Sequence, residues 1–246
     1  MIEDFLSPDE VHELKTAVTE AVDQLGDKKI AGGGADWVDG DDYYSKVFKQ
    51  KLNLWKVNET VKSAMLSPAL GELLCKLAGV DGMRVWHDQA LIKQPWGNPT
   101  GWHLDNPYWS FYSRNAISIW IALEDATYQN GCLYFIPGTH KSATFDNVGI
   151  GQNVGTLFDV YTEWKGLDAV AAPMRAGSAS FHNGLTAHGA GANMTPRTRM
   201  AMTCGYMPEG SVFNGTKNIL PPRLFDSLKI GDVLQDDEQN PMVFRK

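Results

Sequence analysis

The chain has no lysine- or arginine-rich run, and its 22 basic residues are outnumbered by 29 acidic ones, leaving a formal net charge of −7. That absence excludes the basic stripe of a nucleic-acid surface, while a mildly acidic balance serves solubility. Cysteine is scarce: Cys75, Cys132 and Cys204 lie far apart, are odd in number and form no Cys-x-x-Cys. Neither a disulfide framework nor a zinc knuckle is indicated. No apolar run approaches the ~20 residues of a membrane span. Met1–Glu10 is acidic and contains Pro8, so it lacks the basic and apolar regions of a signal peptide. Gly32-Gly33-Gly34 has no following Lys-Ser/Thr and no preceding strand, which excludes a phosphate loop and leaves a flexible turn. These absences together predict a protein of the reducing cytoplasm that engages neither nucleic acid nor membrane.

What is present is ordinary globular material, 43% hydrophobic and 21% charged over 246 residues, a length that double-sheet β domains reach as single units. Ser7-Pro8-Asp9-Glu10 places a capping serine before proline and two acids, and Val11, Leu14, Val18, Val22 and Leu25 follow at helical spacing. Asp39 to Tyr44 reads as an acidic, aromatic surface loop, and Leu52 to Leu77 as helical, restarting at Ser67-Pro68. After Gly79-Val80-Asp81-Gly82 short β-rich runs alternate with turn clusters, at Met83–Ile92, Ala116–Leu123, Cys132–Ile136, Ser178–His182 and Arg199–Met207. Such a series is the pattern of a sandwich or barrel. Lys141 to Ala172 carries few strand signals and reads as a functional excursion from the core, with Phe158, Tyr161 and Trp164 as candidate substrate contacts in a lid. The expectation is one domain over 1–246: a mainly helical region at 1–80, a β core at 81–210 interrupted at about 141–172, and a C-terminal extension at 211–246.

The chemistry concentrates in Pro95-Trp96-Gly97-Asn98-Pro99-Thr100-Gly101-Trp102-His103-Leu104-Asp105. On a strand, positions two apart share a face, so His103 and Asp105 would present an imidazole and a carboxylate side by side. One further histidine would complete the two-histidine, one-carboxylate facial triad of non-haem iron oxygenases, which leaves coordination positions open. A His-x-Asp triplet alone is common by chance. The third ligand lies between His188 and His182. Gly189 and Gly191 beyond His188 allow close backbone approach, and Arg197 and Arg199 downstream supply cations for an anion beside the metal. Those features favour His188. Trp102, Tyr108, Trp109, Phe111 and Tyr112 surround the triplet as pocket wall or core.

With those residues in view, the sequence resembles the phytanoyl-CoA dioxygenase family of Fe(II)- and 2-oxoglutarate-dependent oxygenases. The resemblance runs from about Gln89 to Tyr206 and rests on Gly101-Trp102-His103-Leu104-Asp105, Trp120-Ile121-Ala122-Leu123-Glu124-Asp125-Ala126, Asn130-Gly131-Cys132-Leu133, Ile136-Pro137-Gly138-Thr139-His140-Lys141, and His188-Gly189-x-Gly with Arg199. It implies a mainly β fold with flanking helices, a double-stranded β-helix (jelly roll, cupin-like) behind a helical N-terminal region. It also implies iron ligands at His103, Asp105 and His188, with Fe(2+), 2-oxoglutarate and O2 as the reacting set. Arg199, or Arg197 two residues earlier, would pair with the distal carboxylate of 2-oxoglutarate, and Lys93, Gln89 and Trp120 would be further co-substrate contacts. The expected reaction hydroxylates an aliphatic C–H of a small-molecule substrate with release of succinate and CO2; the alternative is a metal-binding jelly roll with a different or no oxidative activity. The chain departs from the family pattern at Ala190, often serine there, and at Leu104, often glutamine. Asp105 is a small residue in related halogenases, so its presence favours hydroxylation, desaturation or ring formation. The lack of a basic patch weighs against a substrate carrying coenzyme A. Family and motif do not choose the substrate.

Overall fold

A computed structural model describes residues 1–26 and 42–246. The glycine turn expected at Gly32–Gly34, and the start of the loop expected at Asp39–Tyr44, lie outside the described residues. The first helix, α1 (Pro8–Leu25), begins as its sequence dictates: the Ser7 hydroxyl accepts from the Glu10 amide while Glu10 reaches back to the Ser7 amide, a reciprocal capping box with Pro8 in the first turn. Its face of Leu14, Ala17, Val18, Ala21 and Val22 is buried. A single turn, α2 (Asp42–Ser45), and strand β1 (Lys49–Leu52) follow, then α3 (Glu59–Met65), capped by Asn58, and α4 (Pro68–Ala78), capped by Ser67.

The remaining strands are β2 (Gly82–Lys93), β3 (Thr100–His103), β4 (Ile117–Ala122), β5 (Leu133–Phe135), β6 (Val170–Ala172), β7 (Ala179–Asn183), β8 (His188–Ala190), β9 (Arg199–Pro208) and β10 (Met242–Arg245). They form an antiparallel major sheet in the order β1-β2-β9-β4-β7, with β10 also on β2, and a minor sheet in the order β3-β8-β5-β6. This is a jelly roll with helices on its outer side, the sandwich the turn-bounded β runs predict. Alternation along the long strands sorts the side chains of the major sheet. One face carries Val85, Ala90, Ile92, Ile119, Ile121, Met202, Cys204 and Tyr206 and packs on α1, α3 and α4 as the largest core cluster. The opposite face turns toward the minor sheet and holds Trp120, Ala122 and Ala201.

The excursion after Lys141 is packed: Tyr161 and Trp164 are buried and stacked at 3.9 Å between centroids, within a cluster that includes Leu104, Leu157, Leu185 and Ala187. It packs behind the β3 strand, and Trp102 donates its amide to Val154. The C-terminal extension past 210 joins the core as well. Phe213, Ile219, Leu220 and Leu234 pack with Trp86, Trp109, Phe111 and Met207, and β10 pairs with β2. Of the aromatics near the triplet, Trp109 and Phe111 belong to that core, whereas Tyr112 is half-exposed against Phe145.

Candidate metal and anion site

Register brings the first two side chains together. In the minor sheet His103 and His188 are direct cross-strand partners, and their ring centroids lie 4.2 Å apart. His103 Nδ1 is 2.9 Å from the Gly101 carbonyl and His188 Nδ1 2.9 Å from the Thr186 carbonyl. A carbonyl only accepts, so each Nδ1 carries the proton and each Nε2 keeps its lone pair toward the interior.

Asp105 arrives by a different route from the one the sequence predicts. Strand β3 ends at His103, and Asp105 has helical backbone (φ −75°, ψ −53°) at the start of a 3-10 turn over Asn106–Tyr108. Strand alternation therefore does not place it; the turn does, aided by the major sheet. Its Oδ1 lies 3.7 Å from His103 Nε2 and 3.6 Å from His188 Nε2. Its Oδ2 accepts from the Ser118 hydroxyl at 2.7 Å and faces His182 Nε2 at 3.2 Å. His103, Asp105 and His188 each offer one donor atom, all within 4.8 Å of one another.

The electrostatics suit a divalent cation. Burial pushes both imidazoles down, His188 to about 3. Burial alone would raise the Asp105 carboxyl, but His188, His182 and His103 around it outweigh that and hold it well below the usual carboxylate range. Neutral imidazoles and an ionised carboxylate are the forms that bind metal, and this nitrogen and oxygen set fits a first-row ion such as Fe(II).

A second feature sits farther along the same inner face. Lys93 and Arg199 are cross-strand partners of β2 and β9, fully buried or nearly so. Lys93 Nζ donates to the Asn98 carbonyl at 2.6 Å, and burial, then the Arg199 charge, pushes its amine down to about 7. Arg199 Nη2 donates to the Gly131 carbonyl at 3.2 Å, while Nε and Nη1 are buried without a hydrogen-bond partner. Burial pushes Arg199 down to about 10 against the attraction of Glu124 and Cys132. Its guanidinium lies over the Trp120 ring, 5.2 Å from the centroid. Buried donors left unpaired are costly, so the pair fits an incoming carboxylate. Trp120 is one same-face step from Ser118 on β4, about 7 Å at ordinary strand rise. Asp105, bonded to Ser118, and the Arg199 guanidinium, over Trp120, thus meet β4 at neighbouring same-face positions.

A family model of phytanoyl-CoA dioxygenase (PhyH) matches residues 1–201. The chain belongs to the phytanoyl-CoA dioxygenase family. Among its relatives are the dioxygenase lolE1 of Epichloe uncinata, 34% identical over 54% of this chain and 49% of that protein, and a phytanoyl-CoA dioxygenase of Arabidopsis thaliana, 32% identical over 48% and 42%. The chain thus spans about half the length of the curated relatives it matches. Among solved structures, the non-heme alpha ketoglutarate dependent carbocyclase SnoK from nogalamycin biosynthesis is 28% identical with a TM-score of 0.78, covering 98% of this chain and 90% of that one.

The other residues picked out from the sequence separate on this frame. Trp120 and Gln89 flank Thr203 on the inner face, and the Gln89 side-chain Oε1 accepts from Gln50 Nε2. Arg197 is exposed in the turn before β9, which starts only at Arg199, so strand alternation does not carry its side chain inward. Ser118 was not a sequence candidate; its one signal is a lone hydroxyl within the apolar run Ile117–Ala122.

Proposed function

We propose that the protein is a non-haem Fe(II)- and 2-oxoglutarate-dependent dioxygenase that hydroxylates an aliphatic C–H of a small molecule and releases succinate and CO2. The observation that carries this reading is the triangle of two buried histidines, His103 and His188, and the partly buried Asp105, on the same inner surface as a guanidinium with two unpartnered donors. Iron and 2-oxoglutarate, once bound, supply the oxidising power, with O2 consumed as the keto acid loses CO2. The protein's own share is placement. His103 and His188 would hold the ion through Nε2 and Asp105 through Oδ1. Arg199 would pair with the distal carboxylate of the keto acid, a charge-assisted contact, and Lys93 would add positive charge beside it. Trp120 would support the guanidinium and wall the site, with Gln89 at its edge. Arg199 rather than Arg197 takes the carboxylate role because only Arg199 is buried on that face.

The substrate is inferred to be a small molecule oxidised next to His103 and Asp105. Among the described residues no helix is long and apolar enough to cross a membrane. The three cysteines are free and buried, in keeping with a reducing, cytoplasmic setting. The deciding experiment loads the apo-protein with Fe(II) without oxygen, adds 2-oxoglutarate and then O2, and measures succinate and CO2. Turnover, coupled or uncoupled, is expected; its absence across a broad panel of small molecules overturns the reading.

A further inference from the structure

We propose that Ser118 and His182 form a clamp on Asp105 that keeps its carboxylate bound to the metal through one oxygen only. This rests on the reading of His103, Asp105 and His188 as metal ligands. Both are positioning residues, because each acts on the ion through Asp105.

A carboxylate has two equivalent oxygens and turns easily about its last bond. Nothing in the triad itself fixes which oxygen, or how many, would meet an ion. The major sheet supplies that choice. Ser118 on β4 and His182 on β7 are direct cross-strand partners, so both side chains rise from one point on the inner face. Both meet the same atom: the Ser118 hydroxyl at 2.7 Å and His182 Nε2 at 3.2 Å converge on Asp105 Oδ2. Oδ1 is left facing the two ligand imidazoles. Since an ionised carboxylate only accepts, His182 carries its proton on Nε2 and has no lone pair there for a metal. Its ring is pinned 5.2 Å from Phe135 and 4.5 Å from His188, and its Nδ1 is buried without a partner. The arrangement explains how a third histidine can stand this close to the triad without joining it.

The consequence concerns coordination room. A carboxylate that swung to bind through both oxygens would take one more position of an octahedral ion. Fe(II) chemistry of this kind needs open positions for the keto acid and for O2. Holding Oδ2 with two donors keeps that position open, and a hydrogen bond to an ionised oxygen is stronger than a neutral one. Outer-shell partners of this sort typically govern metal affinity by 10–100-fold.

The test compares the wild-type chain with Ser118→Ala, His182→Ala, His182→Gln and, as a ligand control, His188→Ala. Apo-proteins are titrated with Fe(II) without oxygen, 2-oxoglutarate binding is followed by the visible absorption of its Fe(II) chelate, and apo-protein melting reports folding. Ser118→Ala and His182→Ala are expected to weaken Fe(II) by about 10–100-fold and to raise the 2-oxoglutarate concentration that half-saturates the chelate band. His182→Gln keeps an N–H donor and should recover most of the loss. If the wild-type chain takes no Fe(II), the ligand reading itself falls. If it does, and the Ser118 and His182 variants bind Fe(II) and 2-oxoglutarate as it does, the clamp falls alone. Loss in His182→Ala as complete as in His188→Ala, with Ser118→Ala unchanged, would make His182 a ligand and overturn the clamp. A failure of His182→Gln to rescue, with Ser118→Ala unchanged, would reduce His182 to packing. Should His182→Ala melt early, Ser118→Ala and His182→Gln decide.

Discussion

The two faces of the major sheet come from the same strands and share almost nothing else. Along β2, Ala90 and Ile92 enter the core under the helices, while His87, Gln89 and Lys93 turn inward; along β9, Met202, Cys204 and Tyr206 oppose Arg199 and Thr203. The outer face buries apolar surface, the dominant favourable term in folding. The inner face buries two cations side by side and leaves donors of Arg199 unpaired, which stability alone would not select. One face holds the fold and the other is held by it. The minor sheet follows the inner rule, its strands being just long enough to set His103 beside His188.

The division is broken most completely by His188→Ala. It should abolish Fe(II) binding and turnover while leaving the melting temperature of the apo-protein unchanged or higher, because a desolvated imidazole is removed. Anaerobic metal titration with a thermal melt on the same sample checks both halves; bound Fe(II) at wild-type affinity would reassign the triad. The reverse behaviour belongs to the outer face. Ile119→Ala, at a fully buried position, should cost about 2–5 kcal/mol of stability, read by urea denaturation, with turnover per folded molecule unchanged. Smaller in energy is Arg199→Met. Losing a charged hydrogen-bond partner is worth about 1.5–3 kcal/mol, so the KM for 2-oxoglutarate should rise by about 10–100-fold while stability holds or improves. An unchanged KM would move the carboxylate contact elsewhere.

How much of this was legible in the sequence follows the same division. The outer face declares itself through period and caps: Ser7-Pro8 and Ser67-Pro68 start α1 and α4 where expected, and each long β run is a strand. Short-range signals suffice there because helix starts and strand alternation are local properties. On the inner face the residue types were readable but their reasons were not. Asp105 joins the histidines through a turn, not through alternation. Ser118 and His182 meet it across 13 and 77 residues of chain, a distance at which one sequence carries no contact information. Arg197 and Arg199 look alike until the strand start is known, and β9 begins at Arg199. The burial of Tyr161 and Trp164 was likewise invisible, since aromatics in a glycine-containing stretch read equally as lid or as core.

The smallest expected effect separates the faces by pH. Burial and the Arg199 charge push the Lys93 amine down to about 7, against about 10.4 for an exposed lysine. Between those two values the unfolded chain binds the proton and the folded chain does not, so unfolding takes up a proton and stability from this group rises with pH. Below about 7 both states are charged and the folded form carries the full cost. Lys93→Met removes the group. Relative to the variant, the wild-type apo-protein should gain stability from pH 7 to pH 9, by at most about 1.4 kcal/mol per unit, measured as the difference in urea midpoints. An anion that pairs with Lys93 and Arg199 favours the charged amine, so 2-oxoglutarate should flatten this slope in the wild-type chain and leave Lys93→Met untouched. A slope that is the same with and without the keto acid would mean that Lys93 is buried for packing and that Arg199 meets the anion alone.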